Sequence, residues 1–123
     1  MSKKRVLVID DDRTHLLTTM ELLEDDGYDV TVQLGPFGAT ERIMVQRPDL
    51  VLLDVNMPAL SGETLLPLLK ERERTRQVPV VLYSSNDEVV LAAAAARLGA
   101  AGFVCKGDVP GLLKMVERLL GAS

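Results

Sequence analysis

Leu50-Val51-Leu52-Leu53-Asp54 is an unbroken run of four apolar residues that ends on a carboxylate. An amphipathic helix spaces its apolar residues three and four apart, and a half-covered strand alternates them. A short continuous run suits neither, and points to a strand covered on both faces, as in a parallel sheet. The same pattern occurs on either side. Val6-Leu7-Val8-Ile9 leads into Asp10-Asp11-Asp12, and Val80-Val81-Leu82-Tyr83 leads into Ser84. Val30, Val32 and Leu34 alternate with polar residues, which predicts a less covered edge strand. Phe103-Val104-Cys105, followed by Lys106, supplies a short fifth strand.

Helical patterns separate these runs. Leu16, Met20 and Leu23 share one face of a first helix that Gly27 is placed to end. Pro36 can open a second helix reaching about Arg47. Ser61 can cap a third, which contains Leu65, Leu66, Leu68 and Leu69. Pro67 lies inside it and removes a backbone donor, at a cost of up to ~3 kcal/mol and with an expected kink. Asp87 can cap a fourth helix that Gly99 ends. Asp108 and Pro110 can open the last, whose stripe is Leu112, Leu113, Val116, Leu119 and Leu120. Five βα repeats predict an α/β fold: a doubly wound, flavodoxin-like sandwich with a five-stranded parallel sheet in the order 2-1-3-4-5. Residues 1–123 are expected to form one domain.

Composition narrows the function classes. The 123 residues include 14 basic and 18 acidic side chains, for a net charge of −4. An acidic chain is a poor binder of a phosphate backbone, so no direct nucleic-acid contact is expected, and Lys3-Lys4-Arg5 reads as a solvated terminus. Cys105 is the single cysteine, which rules out an internal disulfide and a cysteine-based zinc site and suits the reducing cytoplasm. The first apolar run is too short for a signal peptide, and no segment reaches membrane-spanning length.

The strand order gathers the chemistry. Winding reverses between strands one and three, and ligands bind at the carboxyl ends beside such a switch point. Asp10, Asp11 and Asp12 follow strand one, and Asp54 follows strand three, so their carboxylates should converge. Ser84 and Lys106 end the next two strands on the same rim. Packed carboxylates repel and call for positive charge. A hard cation such as Mg²⁺, with Lys106 as a mobile point charge, meets that need. A carboxylate, a metal and a lysine around an open site suit phosphoryl transfer to an acidic side chain. Taken singly, each residue has a plainer reading: the aspartates as a turn or helix cap, Lys106 as a solvated side chain, Ser84-Ser85-Asn86 as a turn. Their joint placement at the right strand ends outweighs those readings.

Essentially the whole chain resembles the receiver domains of response regulators in two-component signalling. Val8-Ile9-Asp10-Asp11 is similar to the family's acidic pair, and Leu52 to Pro58 with Gly62 to its phosphoacceptor segment. Pro79 to Ser84 resembles its fourth strand, and Gly99 to Lys106 its last strand with the aromatic and the lysine. The resemblance implies that Asp54 accepts the phosphoryl group and ligates Mg²⁺. Asp10 and Asp11 would also hold the ion, at least one through water, with the Asn56 backbone carbonyl as a further ligand. Ser84 and Lys106 would contact the phosphoryl group, and Ser84 and Phe103 would form the switch. Asp12 falls outside the matched pair and reads as a turn or cap residue. The implied partners are a histidine kinase or His-phosphotransfer protein upstream and a target protein or output domain downstream. A homodimer through the fourth helix, fifth strand and fifth helix is a further expectation. Such a protein is a signalling switch rather than an enzyme on other substrates.

Several positions depart from the family pattern. Gly107 replaces the usual proline after the lysine, which predicts a trans Lys106–Gly107 bond and a looser loop. Phe103 stands for a frequent tyrosine and Ser84 for a common threonine. Asn56 and Asn86 stand at the family's variable positions, which by the resemblance should tune acyl-phosphate hydrolysis. His15, on the first helix near the pocket, reads as a solvated residue rather than a catalytic one. Three rival functions compete with this reading. A haloacid-dehalogenase-type phosphohydrolase needs an acid/base two residues after the nucleophile, where Asn56 stands. A nucleotide-binding domain lacks its glycine-rich loop. A receiver-like interaction module that is never phosphorylated is the remaining alternative: the complete Asp/Ser/Lys set argues against it, and Gly107 in place of the proline keeps it open.

Overall fold

The unbroken apolar runs form the centre of a parallel sheet. In the computed structural model, which describes residues 3–57, 62–71 and 77–121, the strands are β1 (Arg5–Asp10), β2 (Asp29–Leu34), β3 (Leu50–Leu53), β4 (Val80–Ser84) and β5 (Gly102–Cys105). They pair in parallel in the order β2-β1-β3-β4-β5. The helices are α1 (Arg13–Asp25), α2 (Ala39–Gln46), α3 (Gly62–Glu71), α4 (Glu88–Leu98) and α5 (Val109–Leu120). The fold is thus the doubly wound α/β architecture expected from the sequence.

Each central strand divides its side chains between two cores. Leu7 and Ile9 of β1, Val51 and Leu53 of β3, and Leu82 of β4 join Ile43, Leu66 and Leu91 from α2, α3 and α4. Val6, Val8, Leu50, Leu52, Val81 and Tyr83 point the other way, to Leu16 and Leu23 of α1 and Leu112 and Val116 of α5. That two-sided cover is the reason the runs show no alternation. Each buried Leu, Ile or Val contributes roughly 1.5–3 kcal/mol by leaving water.

Among the described residues, the predicted helix ends hold with one exception. Asp12, Asp87 and Asp108 cap α1, α4 and α5, each accepting a backbone N–H from three residues on. Gly27 follows the end of α1, and Gly99 closes α4. The exception is α2, which begins at Ala39 rather than Pro36 because Gly38 adopts a left-handed φ of 79° that cannot belong to the helix. The polar alternation of β2 also inverts at its end. Leu34 is 53 % exposed, while Gln33 is buried and its Nε2 donates to the carbonyls of Phe37 (2.7 Å) and Gly35 (3.2 Å). A buried amide is tolerated there because the turn supplies its acceptors. α3 continues through Pro67, and the proposed cap Ser61 lies outside the described residues. No described helix is long and apolar enough to cross a membrane.

Candidate functional site

β1 and β3 end side by side, and their last residues bring two carboxylates to one rim. Asp10 closes β1 and Asp54 follows β3, with the Asp54 amide donating to the Ile9 carbonyl at 3.1 Å. Both side chains are buried, whereas the neighbouring Asp11 is exposed. Lys106 follows β5, its backbone amide donating to the Ser84 carbonyl at 2.8 Å. Its Nζ lies 2.9 Å from Asp10 Oδ2 and 3.1 Å from Asp54 Oδ2, so one ammonium bridges the ends of two strands.

The other Asp54 oxygen is held separately. Oδ1 accepts the Asn56 amide at 2.9 Å and faces Ser84 Oγ at 3.0 Å. Ser84 Oγ also lies 2.7 Å from Asn86 Oδ1, and it accepts from Asn56 Nδ2 at 3.0 Å. The hydroxyl has one proton for its two acceptors, Asp54 and Asn86. Asn56 Nδ2 donates to Asn86 Oδ1 as well, at 2.6 Å.

Charge balance explains the titration of the pair. Burial pushes the Asp10 carboxyl up, but Lys106, the Asp12 amide and His15 outweigh it and hold the group below its usual range. Burial likewise pulls Lys106 down, and its contacts with Asp10 and Asp54 outweigh that and raise it above its usual value. Both shifts favour the charged pair. Burial is the main cause that raises the Tyr83 phenol beneath the site.

The residues fit a small divalent cation. Asp10, Asp11 and Asp54 each bring one oxygen within 4.8 Å of the others. Ligands of an octahedral Mg²⁺ at ~2.0–2.1 Å stand up to ~4.2 Å apart across the ion, so slight closure or an intervening water suffices. Three carboxylates against one ammonium also leave a net charge of −2 for such an ion to neutralise.

The structure thus brings together Asp10, Asp11, Asp54, Ser84 and Lys106, with Asn56 beside them. Phe103 does not share this rim: it is partly buried on β5, against the core beneath α2, α3 and α4. Lys106–Gly107 is trans, since the described residues contain no cis peptide bond, and Gly107 takes a φ of 96°. His15 requires a correction. It is not simply solvated, because its Nδ1 lies 2.9 Å from Asp10 Oδ2 and its ring packs on Tyr83. Only the β1–α1 connection, tightened by the Asp12 cap, turns the ring inward; a single helical histidine gives no such signal in the sequence.

Comparison with known proteins places this geometry. The family described as response regulator receiver domain matches residues 6–117. Protein PilG of Pseudomonas aeruginosa is 34% identical over 83 residues, covering 68% of this chain and 62% of PilG. Transcriptional regulatory protein PrrA of Mycobacterium leprae is 31% identical over 119 residues, covering 97% of this chain and 49% of PrrA. The chain therefore spans less than two thirds of either relative. The fold matches the receiver domain of sensor histidine kinase PA1611 from Pseudomonas aeruginosa, with a TM-score of 0.86 at 21% identity over 98% of this chain and 99% of that one. That protein was crystallised with a magnesium ion coordinated in its active site cleft.

Proposed function

The chain belongs to the response regulator receiver domain family, and on that premise we propose that it accepts a phosphoryl group on Asp54 and uses it to switch a partner-binding surface. The observation that carries this reading is the Lys106 ammonium bridging Asp10 Oδ2 and Asp54 Oδ2, with Ser84 on the remaining Asp54 oxygen. Asp54 is held at both oxygens, and the Lys106 ammonium stands beside it where a phosphoryl group would add negative charge.

In the transfer, an Asp54 oxygen attacks phosphorus and the bond to the donor's histidine nitrogen breaks, leaving an acyl phosphate. The donor is a histidine kinase or His-phosphotransfer protein. Lys106 turns from Asp54 Oδ2 to a phosphoryl oxygen. The Ser84 hydroxyl leaves Asn86 Oδ1 and donates to another. Asp10, Asp11, Asp54 and the Asn56 backbone carbonyl would hold Mg²⁺, which when bound supplies charge neutralisation for the phosphoryl oxygens. The protein catalyses only its own phosphorylation and dephosphorylation.

The arriving charge, about −1.5 to −2, acts through Ser84. Ser84 ends β4 and pairs with Cys105 of β5, two residues from Phe103. Withdrawal of Ser84 toward phosphate frees space into which Phe103 turns, biasing the α4–β5–α5 face. Phe103, Cys105, Glu88 and Met115 line a groove on that face, and α4 also exposes Val89 and Val90. That surface serves a downstream target, an output domain or a second copy in the cytoplasm, and residues 1–123 act as one receiver domain. Incubation with Mg²⁺ and acetyl phosphate should add one phosphoryl mass, absent in Asp54→Asn. No gain under varied conditions would identify an interaction module instead.

A further inference from the structure

Three hydrogen bonds close a ring where β1 passes into α1. The Asp12 amide donates to Asp10 Oδ1 at 3.0 Å, and the His15 amide donates to Asp12 Oδ1 at 3.2 Å. His15 Nδ1 completes the ring on Asp10 Oδ2 at 2.9 Å. The helix cap therefore does more than satisfy a free N–H: it sets the third residue of α1 over the carboxylate that ends β1. The imidazole is fixed from a second side by Tyr83, at a ring-centroid distance of 5.1 Å and an interplanar angle of 41°. Its side chain keeps only 21% of its exposure.

The arrangement decides which Asp10 oxygen is available. Each carboxylate oxygen offers about two lone-pair sites. On Oδ2, Lys106 Nζ and His15 Nδ1, both at 2.9 Å, occupy two. Oδ1 accepts only the Asp12 amide among the described contacts, which leaves a position open. An ionised carboxylate accepts and never donates, so Nδ1 carries the hydrogen.

We infer that His15 is a positioning residue for the cation site: by donating Nδ1–H to Asp10 Oδ2, it turns Oδ1 toward the ion. The inference rests on the phosphoacceptor reading of the preceding subsection. His15 touches neither the ion nor the phosphoryl group. It holds a ligand from behind, and removal of such outer partners typically costs about 10- to 100-fold in metal affinity.

The test is a titration with Mg²⁺ alone, without phosphodonor, followed by backbone amide shifts of Asp10, Asp11 and Asp54 in labelled protein. His15→Phe keeps a ring on Tyr83 but removes the donor, and should weaken Mg²⁺ binding about tenfold. His15→Asn places an amide N–H near the Nδ1 position and should restore affinity to within about threefold, since it returns the lost bond. Unchanged affinity in His15→Phe overturns the inference, as does equal weakening in both variants, which would assign the effect to packing. Should His15→Phe fail to fold, the wild-type imidazole settles the matter at a pH where the ring is neutral. Nitrogen-15 shifts must show the Nδ1–H tautomer, and an Nε2–H tautomer overturns the inference. Absence of any Mg²⁺ response in the wild type would instead overturn the cation-site reading itself.

Discussion

Lys106 Nζ stands 3.1 Å from Asp54 Oδ2 although the two residues are 52 positions apart in the chain. The contact exists because β3 and β5 both end at the rim flanked by β4, and the same ammonium reaches Asp10 at 2.9 Å. One cation thus serves two buried carboxylates, and this sharing shapes the predictions that follow.

Lys106→Met leaves Asp10 and Asp54 without their ammonium. The pair is neither fully buried nor exposed, so the expected destabilisation lies between the ~0–1 kcal/mol of a surface pair and the ~3–5 kcal/mol of a broken buried one. Chemical denaturation at neutral pH should show a loss of about 1–3 kcal/mol. A variant as stable as wild type would show that the bridge contributes nothing net.

The pH dependence follows from the lowered Asp10 pKa. A carboxyl whose folded pKa lies below its unfolded value stabilises the protein above the unfolded pKa, and that contribution disappears as pH falls through the folded one. Lys106, whose folded pKa is raised, contributes below its unfolded value and loses that contribution only at strongly alkaline pH. Stability should therefore fall as pH drops from about 5 toward 2, a window set by the ordinary carboxylate range. In Lys106→Met the acid limb should flatten, which urea midpoints across that range would show.

Mg²⁺ should raise thermal stability, because only the folded chain assembles the three carboxylates. At a hundred times its dissociation constant a ligand adds about 2.7 kcal/mol. Scanning calorimetry should show a rise in Tm that a chelator reverses and that Asp11→Asn reduces. Equal shifts in wild type and Asp11→Asn would place the ion elsewhere.

Ser84→Ala removes the hydroxyl that faces Asp54 Oδ1 while leaving a small side chain in a fully buried position. A hydrogen bond to a charged group is worth ~1.5–3 kcal/mol, so acceptance from acetyl phosphate should slow roughly tenfold to a hundredfold. Time-resolved mass spectrometry would measure it, and an unchanged rate would remove Ser84 from the chemistry.

Gly107 takes a φ of 96°, and nothing lies within 4 Å of where a Cβ would project. The cost of Gly107→Ala is thus conformational rather than steric, about 1–2 kcal/mol. Gly107→Pro should cost more, since proline locks φ near −65°. Thermal melts of the two variants would rank them.

Much of this was legible in the residues. Continuous apolar runs ending in Asp10, Asp54 and Ser84 marked central strands, and strand order then placed the carboxylates at one switch point. What periodicity could not give was local. The start of α2 depends on the left-handed Gly38, and the burial of Gln33 depends on a turn that supplies its acceptors. The inward turn of His15 depends on a cap bond between Asp12 and a backbone amide, and the Asn56–Ser84–Asn86 network depends on loop geometry. These are contacts of a few atoms, below the resolution of pattern.

The central claim concerns Asp54. Intact mass spectrometry after incubation with Mg²⁺ and acetyl phosphate tests it most directly. The prediction is a gain of one phosphoryl group that requires Mg²⁺, vanishes in Asp54→Asn and maps to the peptide containing Asp54. A gain that persists in Asp54→Asn, or no gain in the folded wild type with Mg²⁺ bound, would contradict it.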